Sequence, residues 1–532
     1  MKYKDLFHKI VFFGALTLLL VGIPFCRPFM TIGGIILIVN WFLEFKLIEK
    51  YHKIVRNKPL LVSLLFFMLY FVGMIYTENT REGWQEIWMK TPLLFLPIIF
   101  ATSESLTKQH FQNFLKVYLI GVMISSVYGF IVYHSEELID KREIAVFISY
   151  IRFEMNLCFA LFISIYLIVK EKDKKWQTHI IFLFLAWFLF LIFYIGALTA
   201  IGIAICVSLY VVLNKMIESK NKLYRIYLPS LLLIISVAGL SYISILVNQY
   251  YKIQDNSFST DSLTAYGNTY LPLVENSIIE NGNYVYAYIC KKELEDAWNE
   301  RSNIKLSHKD THNQHKIENT LIRYLNSKGL RKDRQGVEHL SDEEITHIEN
   351  GIANVVYLNK LGFKSRLYGL LWELSDYKTN GSISGYTIPQ RFELWKNSLF
   401  LIKKYPFIGV GTGDVKQKFA KQLQISQSPL KDSNKLSHNQ FLFFIMQFGV
   451  IGFLIILFSI IYPFITNKTY KHDLFVIFIL IVFLAMLTDD TFQRQDGLTF
   501  FAFFYFFFLF LTPQKENLLK ENTSDKNFTR EI

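Results

Sequence analysis

The stretch AVFISYIRFEMNLCFALFISIYLIV, residues 145–169, is long enough as an α-helix to cross a hydrocarbon layer of about 30 Å. It carries one arginine, Arg152, and one glutamate, Glu154, about two turns from one end. Charges inside a span are expensive and mark function or pairing. Residues two apart do not face each other on a helix, so these two need separate partners. Similar apolar runs recur at about 9–24, 28–44, 58–76, 86–102, 113–133, 178–194, 196–213, 226–247, 436–465, 473–488 and 497–513. With 145–169 they make twelve expected spans, and the fold class expected is an all-α polytopic membrane protein. The run at 86–102 is the weakest, its start diluted by Trp84, Gln85 and Lys90, and the runs either side of residue 195 need a tight turn near Gly196. The first run lacks a small-residue cleavage site and is read as a retained span.

Charge placement sets the orientation. Alternate loops are rich in Lys and Arg: residues 2–9, 46–58, 170–175, 215–225 and 468–471. The intervening loops are short, neutral or acidic. Positive loops stay cytoplasmic, which puts both termini inside and the long polar segment outside. The net charge of +12 therefore belongs largely to the cytoplasmic face and is no sign of nucleic-acid binding. The domains expected are spans one to nine over 1–247, a large external loop over 248–435, spans ten to twelve over 436–513, and a disordered cytoplasmic tail over 514–532. Cys290 is the only cysteine in the external loop, so the loop has no internal disulfide and must fold by packing. Helices are expected at 287–305, 316–328 and 352–376, with a capping box at Ser341–Glu344 and a turn-rich stretch at 377–388.

Chemistry-bearing residues gather at the end of that loop. Pro389 and Pro406 bracket a helix in which Trp395, Leu399 and Ile402 form an apolar stripe. Arg391 continues the stripe one turn earlier. Its guanidinium fits phosphate oxygens as a planar fork, or it snorkels at the interface. Gly409, Gly411 and Gly413 lack the lysine of a P-loop and read as a turn allowing close backbone approach, to a ligand or simply between helix and loop. His438, in Ser437-His438-Asn439, lies where the chain re-enters lipid. It is either a general base or part of an interfacial cap. Asp489, Asp490, Arg494 and Asp496 add charges in the loop before the last span, and most of them are read as solvated. His308, His312 and His315 share a face if helical, but Lys309 and Asp310 intrude, so a solvated loop is expected and no metal.

Taken together, Arg391 with Trp395, Pro406 through Gly413, and Ser437-His438-Asn439, placed after a large external loop among many spans, resemble the O-antigen ligase and polymerase family. The motif block covers 391–465, and the topology resembles the family throughout. The resemblance implies a GT-C-like fold and a glycosyltransferase in the bacterial inner membrane, its active site facing the periplasm. The donor would be a glycan on undecaprenyl diphosphate, and the acceptor a sugar hydroxyl of lipid A core. Neither cofactor, metal nor nucleic acid is implied; the partners are the donor, the acceptor and membrane lipids. His438 would be the base, and Arg391 with Arg152 would hold the diphosphate. Gly411, Gly413, Asn439 and Arg494 are further candidates. One departure stands: where many members carry Ser-Arg-Gly, this chain has Ala197-Leu198-Thr199-Ala200, with no arginine. An O-antigen polymerase is the alternative. A flippase or transporter would need paired intramembrane charges or two similar halves, and neither is evident.

Overall fold

The computed structural model describes residues 2–513 except 137, 139–140, 171–174, 219–220, 254–261, 273–276, 311–315, 359–362 and 384. The expected tail over 514–532, and His312 and His315, lie outside the described residues. The chain divides into two compact units, Met1–Lys215 with Glu393–Ile532, and Met216–Phe392.

The first unit begins with α1 (Lys2–Phe25), α2 (Arg27–Leu43), α3 (Leu47–Arg56), α4 (Lys58–Met74), α5 (Thr80–Lys90) and α6 (Pro92–Thr102). It continues with α7 (Lys108–Ser135), α8 (Tyr150–Lys170), α9 (Lys175–Ile195) and α10 (Leu198–Glu218), whose last residues cross into the second unit. A left-handed Gly196 turns α9 into α10. Seven described helices are long and apolar enough to span a bilayer, or eight if α2 and α3, bent by 110°, count as one. Three shorter apolar helices join them, Lys58–Met74, Asp473–Met486 and Gln495–Leu511. The protein is thus an all-α, multi-pass membrane protein. Large side chains such as Leu183, Phe193 and Ile205 lie exposed, which in water would drive association and in lipid is the ordinary outward face.

The run expected at 86–102 is not one helix. Pro92 has no amide hydrogen to continue α5, so a new helix starts there. Lys90 at the break is wholly buried: its ammonium donates to the Phe492 carbonyl at 2.5 Å and pairs with Glu86 at 3.2 Å.

The second unit holds α11 (Lys222–Tyr251), then β1 (Ile279–Glu280) paired antiparallel with β2 (Asn283–Tyr284), and α12 (Lys291–Arg301), α13 (Ile317–Ser327), α14 (Arg334–Glu338), α15 (Asp342–Glu349) and α16 (Phe363–Asn380). Its own core of Trp298, Leu294, Leu321 and Tyr324 replaces the missing disulfide. Ser341 and Glu344 form the expected capping box. Arg323 makes two hydrogen bonds to buried Glu280, at 2.8 and 3.0 Å, and stacks 3.5 Å over Trp372. Lys332 is buried too, donating to Asn326 at 2.9 Å, and burial pushes its ammonium down to about 7 despite neighbouring Asp333.

Helix α17 (Thr387–Lys404) crosses the boundary between units, and α18 (Val415–Ile425), α19 (Gln440–Thr466), α20 (Asp473–Met486) and α21 (Gln495–Phe506) return to the first. Helix α21 is buried all round; Phe500 and Phe504 pack against Phe159 of α8 and Phe478 of α20. A helix apolar on every side belongs at the centre of a bundle. The first residues of the loop that leads into it, Asp489 to Phe492, are buried with it, and the candidate site is built on them.

Candidate functional site

Arg152 enters the site from the first turn of α8. Only 6% exposed, it cannot stay charged without partners. It finds them in the loop before α21: its guanidinium pairs with the Asp489 carboxylate at 2.8 Å and donates to the Asp490 carbonyl at 3.0 Å. A third bond, 2.7 Å to Ser149 Oγ, holds it from the residue just before its own helix. Glu154 is buried on a different face, as its spacing requires.

Asp489 and Asp490 are 5% and 6% exposed, as is Asp496 at 4%, which corrects the reading of this loop as solvated. The reason is tertiary: α21 is central, so the loop entering it is buried, and its carboxylates survive because donors converge on them. Asp490 accepts from Ser437 Oγ at 2.6 Å, from the His438 amide at 2.8 Å and from the Asn439 amide at 3.1 Å. One carboxylate thus shapes the whole Ser-His-Asn turn. His438 has φ +46, an uncommon conformation for a residue with a side chain, and those bonds hold it there. Asn439 then caps α19, its side-chain oxygen accepting from the Phe441 and Leu442 amides.

The imidazole of His438 keeps 37% of its surface exposed. Its Nδ1 stands 3.9 Å from Asp489 Oδ1, an ion-pair distance too long for a hydrogen bond. Asp489 therefore faces Arg152 on one side and His438 on the other. Burial pushes the Asp489 carboxyl up, but His438, Arg152 and Arg494 outweigh it and hold the carboxyl below its usual range. Asp490 moves the other way: burial raises it, and the donors from Ser437 and His438 reverse only part of that. A carboxylate at Nδ1 favours the proton on that nitrogen and leaves Nε2 free to take one from an incoming hydroxyl.

The glycine-rich turn lies against the protein's own backbone. The Val410 and Gly411 amides donate to the Met446 and Gln447 carbonyls of α19, and the Gly413 amide to Thr77 Oγ1 beyond α4. At Gly409 (φ +70) a Cβ would sit 2.4 Å from the Gln447 carbonyl carbon, and at Gly449 (φ +65), where α19 kinks, 2.1 Å from the Phe407 carbonyl. Those two positions must be glycine for turn and helix to close on each other.

Of the sequence candidates, the structure brings Arg152, His438 and Asn439 together in the first unit. Arg494 is exposed at the far end of the Asp489 loop, and Gly411 and Gly413 lie in the stitched turn. Arg391 is half-buried on α17 and belongs to the second unit. The residues that sequence reasoning undervalued are Asp489 and Asp490. The available signal was two adjacent carboxylates at the mouth of a span, opposite Ser-His-Asn.

Fold and site define a multi-pass helical membrane protein in which a buried arginine and an exposed imidazole share one carboxylate. Residues 351–457 match the family model described as O-antigen ligase, and this stretch supports the resemblance to the O-antigen ligase family. The matched stretch contains Arg391, the glycine-rich turn and His438, and supports an activity of O-antigen ligase or polymerase type on lipid-linked glycans. No curated protein matches the chain.

Proposed function

We propose that the chain transfers a glycan from undecaprenyl diphosphate to a sugar hydroxyl of lipid A core, at the periplasmic face of the bacterial inner membrane. The observation that carries this reading is the Arg152–Asp489–His438 relay, whose histidine lies inside the family stretch. His438 Nε2 accepts the proton of the acceptor hydroxyl as its oxygen attacks the anomeric carbon. The bond to the diphosphate breaks, and the charge that grows on the leaving group is met by Arg152. One base and no enzymic nucleophile give a single displacement with inversion at that carbon, without a metal. Asp490 holds the turn that presents the imidazole, and Asp489 orients it.

The test is a lipopolysaccharide gel from a deletion strain carrying His438→Ala. The variant is expected to reach the membrane at normal levels and to leave no long chains on core. Normal long chains would remove the base role of His438. A single repeat unit left on core would reassign the reaction to polymerisation.

A further inference from the structure

The loop that supports His438 has a second face, and that face lines a cavity of about 860 Å³ in the first unit. One wall is α2. Arg27, Thr31, Gly34, Ile35 and Ile38 all line it, at spacings of i, i+4, i+7, i+8 and i+11, which is one face of a helix. The cavity therefore follows α2 for about 16 Å at 1.5 Å per residue. Its character changes along the way. The Arg27 end also receives Gln493, Arg494 and Gln495, with Gln495 donating to Thr31 at 3.0 Å. The Ile35–Ile38 end is apolar, and Phe95 and Leu96 of α6 line the cavity with it.

Two features point to an anionic ligand. Arg27 and Arg494 put two cations on the cavity, against one carboxylate, Asp496, 3.9 Å from Arg27. Thr499, 3% exposed, leaves its hydroxyl without a hydrogen-bond partner among the described residues, and both amide atoms of Gln493 are buried and equally unmatched. Native proteins rarely strand polar atoms in this way. A phosphate would satisfy both arginines and accept from the Gln493 amide and the Thr499 hydroxyl.

We propose that this cavity binds a phosphate-headed lipid, its headgroup between Arg27 and Arg494 and its first chain segment along Ile35 and Ile38. This does not depend on glycan transfer, and it is read by binding alone. The full chain in neutral detergent is incubated with phosphatidylglycerol, undecaprenyl phosphate or zwitterionic phosphatidylcholine, and retained lipid is counted by native mass spectrometry. The wild type is expected to retain an anionic lipid at least tenfold more than the Arg27→Gln/Arg494→Gln variant, and phosphatidylcholine weakly. Equal retention of both anionic lipids assigns the site to bilayer phospholipid; preference for the polyprenyl phosphate assigns it to that lipid. Ile35→Trp, which fills the cavity and leaves every charge in place, is expected to lower retention as much. Equal retention by the wild type and the arginine variant overturns the proposal, and so does loss in the arginine variant with none in Ile35→Trp.

Discussion

Asp489 and Asp490 are neighbours in sequence with different duties. Asp490 spends its oxygens on the backbone and hydroxyl of Ser437–Asn439, while Asp489 balances the charge of Arg152 and faces the imidazole. Because Arg152 and Asp489 are both buried, removing either leaves the other charge without a partner, at a cost of about 3–5 kcal/mol. Arg152→Gln and Asp489→Asn are each expected to destabilise the protein by that order. The double variant should cost little more than either alone, since the second change removes the stranded charge. Unfolding midpoints in detergent of the four proteins measure the coupling; additive losses would show that the two side chains do not interact. Transfer should fall in all three variants, on the order of 10²-fold where the cation is lost.

Helix α19 is broken where the glycine-rich turn meets it. The break is a matter of space: Gly449 takes a left-handed conformation, and any Cβ there would overlap the Phe407 backbone. Gly449→Ala is expected to cost at least the roughly 1–3 kcal/mol of a strained backbone position, with lower membrane yield and a lower unfolding midpoint. Gly202→Ala on α10, where a Cβ meets nothing within 4 Å, should be neutral or slightly stabilising. In the second unit, Lys332 supplies a pH dependence. Its ammonium titrates near 7 when folded and at about 10.4 in an unfolded chain. Between those values the unfolded chain binds the extra proton, so stability rises as pH climbs from 7 toward 10. Proteolytic protection of this unit in urea should therefore improve over that range in the wild type and stay level in Lys332→Met.

Taken whole, the molecule is a helical membrane protein, and the proposed chemistry requires His438 to face the periplasm. In a cysteine-free background, His438→Cys should react with an impermeant maleimide from the periplasmic side and stay unreactive when only the cytoplasmic side is exposed; the reverse pattern would exclude a periplasmic acceptor. The helical class, the membrane setting, the capping box at Ser341 and the need of Arg152 for partners were all legible in the linear chain. They rest on local quantities, namely hydropathy over a helix length, a cap spacing, and the cost of a charge in lipid. The break at Pro92, the burial of Asp489 and Asp490, and the inward turn of Lys90 were not legible. Each depends on which helix lies at the centre, and Phe-rich runs of similar length do not rank themselves. Once α21 packs inside, the loop entering it is buried with it, and two carboxylates that read as solvated become the anchors of Arg152 and of the His438 turn. Partners some 340 residues apart in the chain, such as Arg152 and Asp490, meet only because the bundle closes around them.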